Sequence, residues 1–196
     1  MHRNIWKRLT LAAVCLAWMA LPDGHAQQGA ANPVGRIRVS QKNTRAPDYS
    51  VQTNVRASKK KYEQWLSIEV AYETVIPWTD DLKITYYAYM QTGNPREPEV
   101  ILRGEETFTN IPKGTHEDFA FIHPAILQRY GKVMGIAVEF TYGDRLVAAE
   151  SVPGNFAYKT AVERLPKKEG AILPKSRSPF ALVDVSGFEM TKEAAR

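Results

Sequence analysis

Cysteine is almost absent from this sequence, whose 196 residues include only Cys15. An intramolecular disulfide cannot form, which excludes the disulfide frameworks of many small extracellular animal domains. Apolar runs are also short: none reaches the roughly 20 residues that a membrane-spanning helix needs, so a polytopic membrane protein is excluded. Hydrophobic residues make up 44% of the chain and charged residues 24%, a globular composition that excludes a mainly disordered protein.

Residues 1–26 have the three parts of a secretory signal peptide. These are a basic segment, an apolar run and a cleavage site with small residues: Arg3, Lys7 and Arg8; Leu9–Leu21; Gly24-His25-Ala26. Cys15 lies inside the apolar run, whereas a lipoprotein cysteine follows that run, so lipidation is not expected. The sequence predicts export to the periplasm, the outer membrane or the cell surface, with no stable membrane span after cleavage. An uncleaved anchor is the alternative.

The excess of positive charge is small. The whole chain carries +5, and loss of Arg3, Lys7, Arg8 and Asp23 with the signal peptide leaves +3. So small an excess on an exported chain argues against a nucleic-acid partner. A mature chain of about 170 residues is long enough to be held by its core alone. The lack of paired cysteines in an exported domain is typical of bacterial envelope proteins.

Alternation of apolar and polar residues continues through most of the chain after residue 36 and predicts β-strands. The predicted strands are 37–41, 50–56, 64–74, 82–91, 99–103, 105–110, 116–122, 132–142 and 146–152. The two clearest strands place these residues on their apolar faces: Leu66, Ile68, Val70 and Tyr72 on one; Leu82, Ile84, Tyr86, Ala88 and Met90 on the other. Gly143-Asp144 marks a tight hairpin turn.

Short strands separated by turn residues predict an all-β fold, because no long helices alternate with them. We expect an immunoglobulin-like antiparallel β-sandwich of about seven to nine strands, with a closed barrel as the alternative. One short helix is predicted at Pro124–Tyr130, because proline is favoured at the first position of a helix and glycine, here Gly131, just after its end. Trp65 belongs either to the core or to the outer face of its strand.

Four parts follow from these patterns: a signal peptide at 1–26, a flexible leader at 27–36, the sandwich at 37–153 and a C-terminal extension at 154–196. The extension contains a predicted short helix at Tyr158–Leu165 and an apolar, strand-like segment at Phe180–Val185. Such a segment is unfavourable in water, so we expect the domain's own sheet edge or a partner's edge to cover it. Its own edge is favoured, because tethering raises the effective concentration.

Residue patterns for catalysis or metal binding are weak. His116 and His123 are seven residues apart, which on a strand places them on opposite faces, and they miss the H-E-x-x-H spacing of zinc sites. Thr79-Asp80-Asp81 is better explained as a solvated turn than as a calcium site. The sequence therefore predicts a protein that is not an enzyme, with no catalytic residues, metal ligands or cofactor.

Aromatic and apolar side chains are the better candidates for binding. Tyr87 and Tyr89 share a partly polar face, where they could stack on sugars or fill a protein interface. The alternative is that this face is covered or forms cross-strand aromatic pairs. The candidate partner-binding residues are Tyr87, Tyr89, Phe180, Leu182, Val183 and Val185.

Two stretches resemble a known family. Trp65-Leu-Ser-Ile-Glu-Val-Ala-Tyr72 through Tyr86-Tyr-Ala-Tyr89, and Gly135-Ile-Ala-Val-Glu-Phe-Thr-Tyr-Gly-Asp144, are similar to the immunoglobulin-like exported proteins encoded beside type IV pilus-like genes in Akkermansia-type gut bacteria. The resemblance covers roughly residues 37–152 and consists of overall pattern rather than a compact motif. It implies an immunoglobulin-like domain that acts in pilus assembly or adhesion, and it carries no catalytic residues.

Three functions are compatible with the sequence. The first is a non-enzymatic interaction module of the bacterial envelope with protein partners, including pilus-assembly components. The second is a carbohydrate-binding module in which Trp78, Tyr87 or Tyr89 stacks on a glycan. The third is an exported hydrolase, which requires carboxylates or histidines clustered in a cleft.

The signal-peptide assignment predicts that the mature protein begins at Gln27. Intact-mass analysis of the protein isolated from the native envelope should give a chain without residues 1–26. A mature mass that includes Leu9–Leu21 would contradict the assignment and indicate an anchored protein.

Overall fold

The computed structural model of the protein describes residues 32–47, 64–93 and 98–183, and the backbone of 190–191. The predicted signal peptide, residues 27–31 of the predicted leader, the predicted strand 50–56 and Val185 lie outside the described residues. The chain from Asn32 to Arg196 forms one compact unit, so the C-terminal extension belongs to the same body as the strands.

Two β-sheets form the described part of the chain. The first has the order β1-β2-β5-β9, with the bounds Val34–Arg45, Gln64–Thr79, Ile111–Ile122 and Ile172–Pro174. The second has the order β10-β4-β3-β6-β7, with the bounds Met190–Thr191, Val100–Thr109, Leu82–Gln91, Lys132–Tyr142 and Arg145–Val152. Pairing within both sheets is antiparallel, while β8 (Lys167–Glu169) runs parallel to β4. The predicted all-β sandwich is confirmed, and the two sheets do not close into a barrel.

The predicted facing of the two clearest strands is correct. Ile68 and Val70 on β2, and Ile84 and Tyr86 on β3, are buried in the main core between the sheets. Because successive side chains of a strand point to opposite faces, a shift of one residue would have turned all of them to the outer faces of the sheets. The large buried side chains from both sheets therefore form one apolar layer.

Strand β4 differs from the prediction of two short strands. It runs unbroken from Val100 to Thr109 and passes through Gly104. A Cβ atom at residue 104 would lie 2.2 Å from the carbonyl oxygen of Ile172 on β9. Glycine within a strand marks either a break in the strand or a place where another backbone approaches closely. Gly104 is the second case, because β4 continues through it and β9 lies against it.

Helix α1 spans Pro124–Tyr130, as predicted. The Nδ1 atom of His123 accepts a hydrogen bond from the backbone N–H of Ala125 at 3.0 Å and caps its N-terminus. Gly131 ends the helix with a φ of 83°, a left-handed conformation that favours glycine. His123 therefore has a structural role.

The β6–β7 hairpin is also as predicted. Gly143 and Asp144 both have positive φ angles, 53° and 61°, which is the geometry of a two-residue turn that matches strand twist. Near the start of β6, the pairing with β3 shifts between Tyr89 and Met90, opposite Gly135. The break in regular pairing therefore falls at a glycine.

The C-terminal extension has more structure than the sequence indicates. Helix α2 spans Tyr158–Arg164, close to its predicted bounds, and β8 and β9 follow it. A 3₁₀ helix spans Lys175–Arg177. The prediction of a strand from residue 180 is wrong over 180–183, where the chain forms turns instead. We call residues 166–183 the strap.

The facing of β2 and β3 generates a direct test. Ile68→Asp or Ile84→Asp places an unpaired charge in a fully buried site and should abolish cooperative folding. Lys83→Ala, on the opposite face of β3, should change the free energy of unfolding by less than about 0.5 kcal/mol. Thermal melts followed by circular dichroism make the comparison. The reverse ranking would mean that the facing is off by one residue.

Candidate functional site

A buried polar pair joins the two sheets. The hydroxyl of Tyr86, on β3, crosses the inter-sheet space and donates a hydrogen bond to Oδ2 of Asp118 on β5. The other carboxylate oxygen, Oδ1, accepts the backbone N–H of Phe119 at 2.7 Å. Asp118 is only 6% exposed. Each oxygen of this carboxyl group thus has a donor, although the group lies away from water.

A second carboxyl group lies near this pair. Glu106, on β4, accepts a hydrogen bond from Ser176 Oγ at 2.7 Å, so the strap covers it. Burial and, to a smaller extent, the charge of Glu106 raise the pKa of Asp118. Hydrogen bonds from Tyr86 and Phe119 and the charge of Lys175 oppose the rise, and the resulting pKa is about 7. Burial also raises the pKa of Glu106. The two carboxyl groups therefore hold protons more tightly than in water.

Asp118 and Glu106 are not among the residues that the sequence patterns predicted as candidates. A clue was available for Asp118, because it shares the strand phase of Ala120 and Ile122, which face the core. A charged residue in the apolar phase of a strand requires a partner. The partner itself, Tyr86, lies on another strand, and no local pattern links the two.

His116 and His123, whose spacing was considered above for metal binding, lie apart and have separate partners. His116 is buried on β5, where its Nε2 lies 2.9 Å from the carbonyl oxygen of Pro112 and 3.0 Å from Thr74 Oγ1. His123 caps α1, and the edge of its ring contacts Trp65 at a centroid distance of 4.6 Å. Within the ranges that the structure describes, no group of three or more His, Cys, Asp or Glu residues is placed to hold a metal ion.

The aromatic face of β3 is covered. Tyr87 is 8% exposed and packs against Ile101 and Ala137, with side chains of α2 over it. Its hydroxyl donates to Glu139 at 3.1 Å, as does the hydroxyl of Tyr158 on α2. Burial and the charge of Glu139 raise the pKa of both tyrosines. The covered face, weighed above as the alternative, is the arrangement found, and Tyr87 is not open to a sugar.

Tyr89 has a similar partner nearer the end of the strand. Its ring stacks on Phe156 at 5.9 Å between centroids. Phe156 in turn approaches Gly135 so closely that a Cβ atom there would lie 2.7 Å from its ring. The segment that follows β7 is thus fitted against β3 and β6, and Tyr89 is half-buried by it.

The strap docks through Phe180. Its ring stacks on Phe121 at 4.1 Å and meets Trp65 edge-on at 5.7 Å, and Phe180 is 6% exposed. This cluster lies on the outer face of the first sheet, so Trp65 is an outer-face residue that is nevertheless buried. The neighbouring Leu182 and Val183 are exposed, at 77% and 41%. The six-residue apolar segment thus divides into a docked aromatic and two exposed aliphatics, with Val185 outside the described residues.

Trp78 is the most exposed aromatic in the described ranges, at 63%. It lies after a register shift in β2, between Thr74 and Trp78, and its backbone pairs with Pro112. Thr74 Oγ1 holds this region by donating to the carbonyl of Pro112 at 2.7 Å and accepting the N–H of Gly114 at 3.1 Å. The indole therefore projects from a backbone that is fixed on both strands.

The two sides of the sandwich differ. On one side, the strap covers the edges of both sheets, because its strands β9 and β8 pair with β5 and β4. Strand β10, which follows the strap in the chain, also pairs with β4. On the other side, β1 and β7 each have a single strand partner among the described residues. Asn32 Nδ2 donates to the carbonyl of Val147 at 3.1 Å and ties the start of β1 to β7. One side is closed and the other presents two strand edges.

These features define an all-β sandwich that its own C-terminal strap closes on one side. A protein-family model matches residues 25–194, and the chain belongs to the family that this model describes. The match includes the strap, so the extension is part of the family's domain. Among curated proteins, none matches the chain.

A solved structure shares the fold. A crystal structure of a protein from Akkermansia muciniphila superposes with a TM-score of 0.64 at 18% identity, covering 82% of this chain and 95% of that one. At this identity the similarity establishes the fold alone. The expected likeness to an Akkermansia protein is confirmed at that level. Among the described residues, no helix is long and apolar enough to cross a bilayer.

The raised pKa of Asp118 predicts a pH-dependent stability. The folded state holds this proton up to about pH 7, whereas an unfolded aspartate releases it near pH 4. Stability should therefore fall as the pH rises between these values, by up to about 3 kcal/mol from pH 5 to pH 8. Urea unfolding at both pH values measures this difference.

Two variants isolate the source of this pH dependence. Asp118→Asn keeps an acceptor for Tyr86 and should flatten the profile between pH 5 and pH 8. Asp144→Asn removes a carboxylate from an exposed turn and should leave the profile unchanged. An unaltered profile in Asp118→Asn would assign the proton to another group.

The docking of Phe180 predicts a separate loss of stability. Phe180→Ala removes a buried ring and should cost about 3 kcal/mol, which for a domain of this size lowers Tm by roughly 10 °C. Leu182→Ala, two residues away but exposed, should move Tm by no more than about 2 °C. Differential scanning calorimetry of both variants gives the comparison. Equal melts for wild type and Phe180→Ala would show that the strap contributes no stability through this ring.

Proposed function

We propose that the protein is a non-enzymatic interaction module of the bacterial envelope, exported after signal cleavage, which acts in type IV pilus-like assembly or in adhesion. The observation that carries this proposal is the difference between the two sides of the sandwich. The chain closes one side with its own strap and leaves the β1 and β7 edges without a further strand among the described residues. Unpaired strand edges bind other chains by strand addition.

The strand order supports an immunoglobulin-like assignment within this proposal. In immunoglobulin-like sandwiches the first, second and fifth strands share one sheet, and the third, sixth and seventh share the other. Here β1-β2-β5 lie together, opposite β3-β6-β7, while β4 departs from the pattern, because the fourth strand of the constant-type fold belongs to the first sheet and β4 pairs with β3 in the second. Domains of this architecture commonly mediate cell-surface contacts. The similar fold of the Akkermansia structure fits an envelope role, and the link to pilus genes comes from the sequence resemblance.

The polar clusters also favour binding over catalysis. Asp118 and Glu106 are the most perturbed carboxyl groups in the described ranges, and a hydrolase would need such groups to reach a substrate. Asp118 instead lies inside the sandwich and is bonded to Tyr86, while the half-buried Glu106 is bonded to Ser176 of the strap. We therefore do not favour the hydrolase alternative.

Carbohydrate binding is a second candidate, because one observation favours it. The indole of Trp78 is 63% exposed on a fixed backbone, and exposed aromatic rings stack on sugars. Tyr87 and Tyr89 do not extend this platform, because α2 and Phe156 cover them. A single ring gives a weak site, so we place glycan binding second.

Affinity purification from envelope fractions tests the two candidates together. A tagged full chain, cross-linked in the native cells, should recover protein partners, including pilus-assembly components. Trp78→Ala should leave this recovery unchanged and should abolish any binding to a glycan array. Recovery of glycans alone, lost in Trp78→Ala, would replace the first function by the second. Recovery of neither would contradict both.

A further inference from the structure

Within the part of the chain that the structure describes, β1 pairs with β2 alone, so its other edge is regular and has no strand partner there. From Ile37 to Arg45 it pairs with β2 in nine consecutive positions, without a bulge, and the one irregularity lies earlier, between Val34 and Ile37. Alternate backbone N–H and C=O groups of such an edge point away from the neighbouring strand and can pair with a further chain. Bulges, prolines and short length usually block this pairing. None of these devices occurs between Ile37 and Arg45.

The charge on this strand has one sign. It carries four basic residues and no acidic residue: Arg36, Arg38, Lys42 and Arg45, all exposed. Lys42 forms an ion pair with Glu69 on β2, and Ser40 also donates to that carboxylate. Arg36, Arg38 and Arg45 form no ion pair with any residue in the described ranges. Three cations of the edge are thus available to a partner.

This charge decides which chain can pair with the edge. Two copies of β1 placed edge to edge would bring eight like charges together on adjacent strands, and like charges opposite each other are destabilising. Arg38 and Arg45 lie on opposite faces of β1, so a strand with acidic residues on both of its faces would instead place carboxylates beside them, with backbone hydrogen bonds between the strands. The edge therefore discourages self-association and favours an acidic chain.

We propose that β1 is a docking edge for an extended acidic segment of a partner protein, which adds as a strand along Ile37–Arg45. This inference rests on the proposed interaction function and specifies its surface. Backbone pairing supplies the affinity, and Arg36, Arg38 and Arg45 select for negative charge. On the side that the strap closes, the outermost described strands, β9 and β10, are only three and two residues long, so the partner is directed to the longer edge of β1.

The test uses the mature full chain and a synthetic ten-residue peptide of Glu and Val that carries Glu on both faces of the strand it would form. Fluorescence anisotropy should show saturable binding, and hydrogen exchange should show protection of β1 amides that exchange rapidly in the free protein. A peptide of the same sequence, N-methylated at alternate residues, cannot pair along a strand and should bind at least tenfold more weakly. A Lys-Val peptide should not bind.

Charge variants test the role of the arginines. Arg36→Gln, Arg38→Gln and Arg45→Gln combined should weaken binding at least tenfold and reduce its salt dependence. A matched variant, Lys159→Gln, Lys167→Gln and Lys168→Gln, removes three exposed cations from α2 and β8 and should stay within twofold of wild type. Thermal melts of both variants confirm that they are folded, because these side chains lie at the surface.

Other outcomes overturn the proposal. Equal binding of the N-methylated peptide would mean charge attraction without strand addition. Protection of β1 amides before peptide is added would mean that another part of this chain already covers the edge. Envelope partners that are retained by the triple arginine variant would refute this docking edge and leave the interaction function standing. Peptide binding without any envelope partner would contradict the proposed function instead.

Discussion

The approach of β9 to Gly104 is the contact on which the closed side of the sandwich depends. Ile172 is buried in the main core, and its carbonyl oxygen occupies space that any side chain at residue 104 would need. From this point the strap continues to Ser176, which bonds Glu106, and to Phe180, which stacks on Phe121. A chain without disulfides in its described part thus uses its own C-terminal segment as the closing element. The family match extends through residue 194, consistent with a strap that belongs to the domain.

Closing one side has a consequence for the other. A two-sheet sandwich has two open sides, and each exposes edge strands that can pair with other chains. Strands of the strap pair with the outer edges of β4 and β5, so among the described residues the long edges open to another chain are those of β1 and β7. Positive charge on β1 then makes this remaining edge selective. Stability on one side and recognition on the other therefore come from the same arrangement of strands.

Local patterns predicted much of the fold and little of the candidate sites. The facing of β2 and β3, helix α1 and the Gly143-Asp144 turn follow from alternation and from glycine and proline positions, which act over a few residues. The segments that cover each face of the sheets could not be predicted in this way. The burial of Tyr87 by α2, and the passage of β4 through Gly104 beneath Ile172, join segments about 70 residues apart, and no local pattern contains them. The strand edge at β1 likewise becomes a surface only through the order of the sheets.

The Tyr86–Asp118 pair shows why a stable sandwich keeps a polar group in its core. Burying a carboxyl group costs free energy, as its raised pKa records, and an apolar pair of similar volume would be at least as stable. An apolar core, however, tolerates small shifts of one sheet over the other, whereas a hydrogen bond between β3 and β5 is satisfied in only one relative position. The same position brings Glu106 beneath Ser176 and Gly104 beneath Ile172. We interpret the buried pair as the element that sets the alignment of the sheets, so that the strap can close over them.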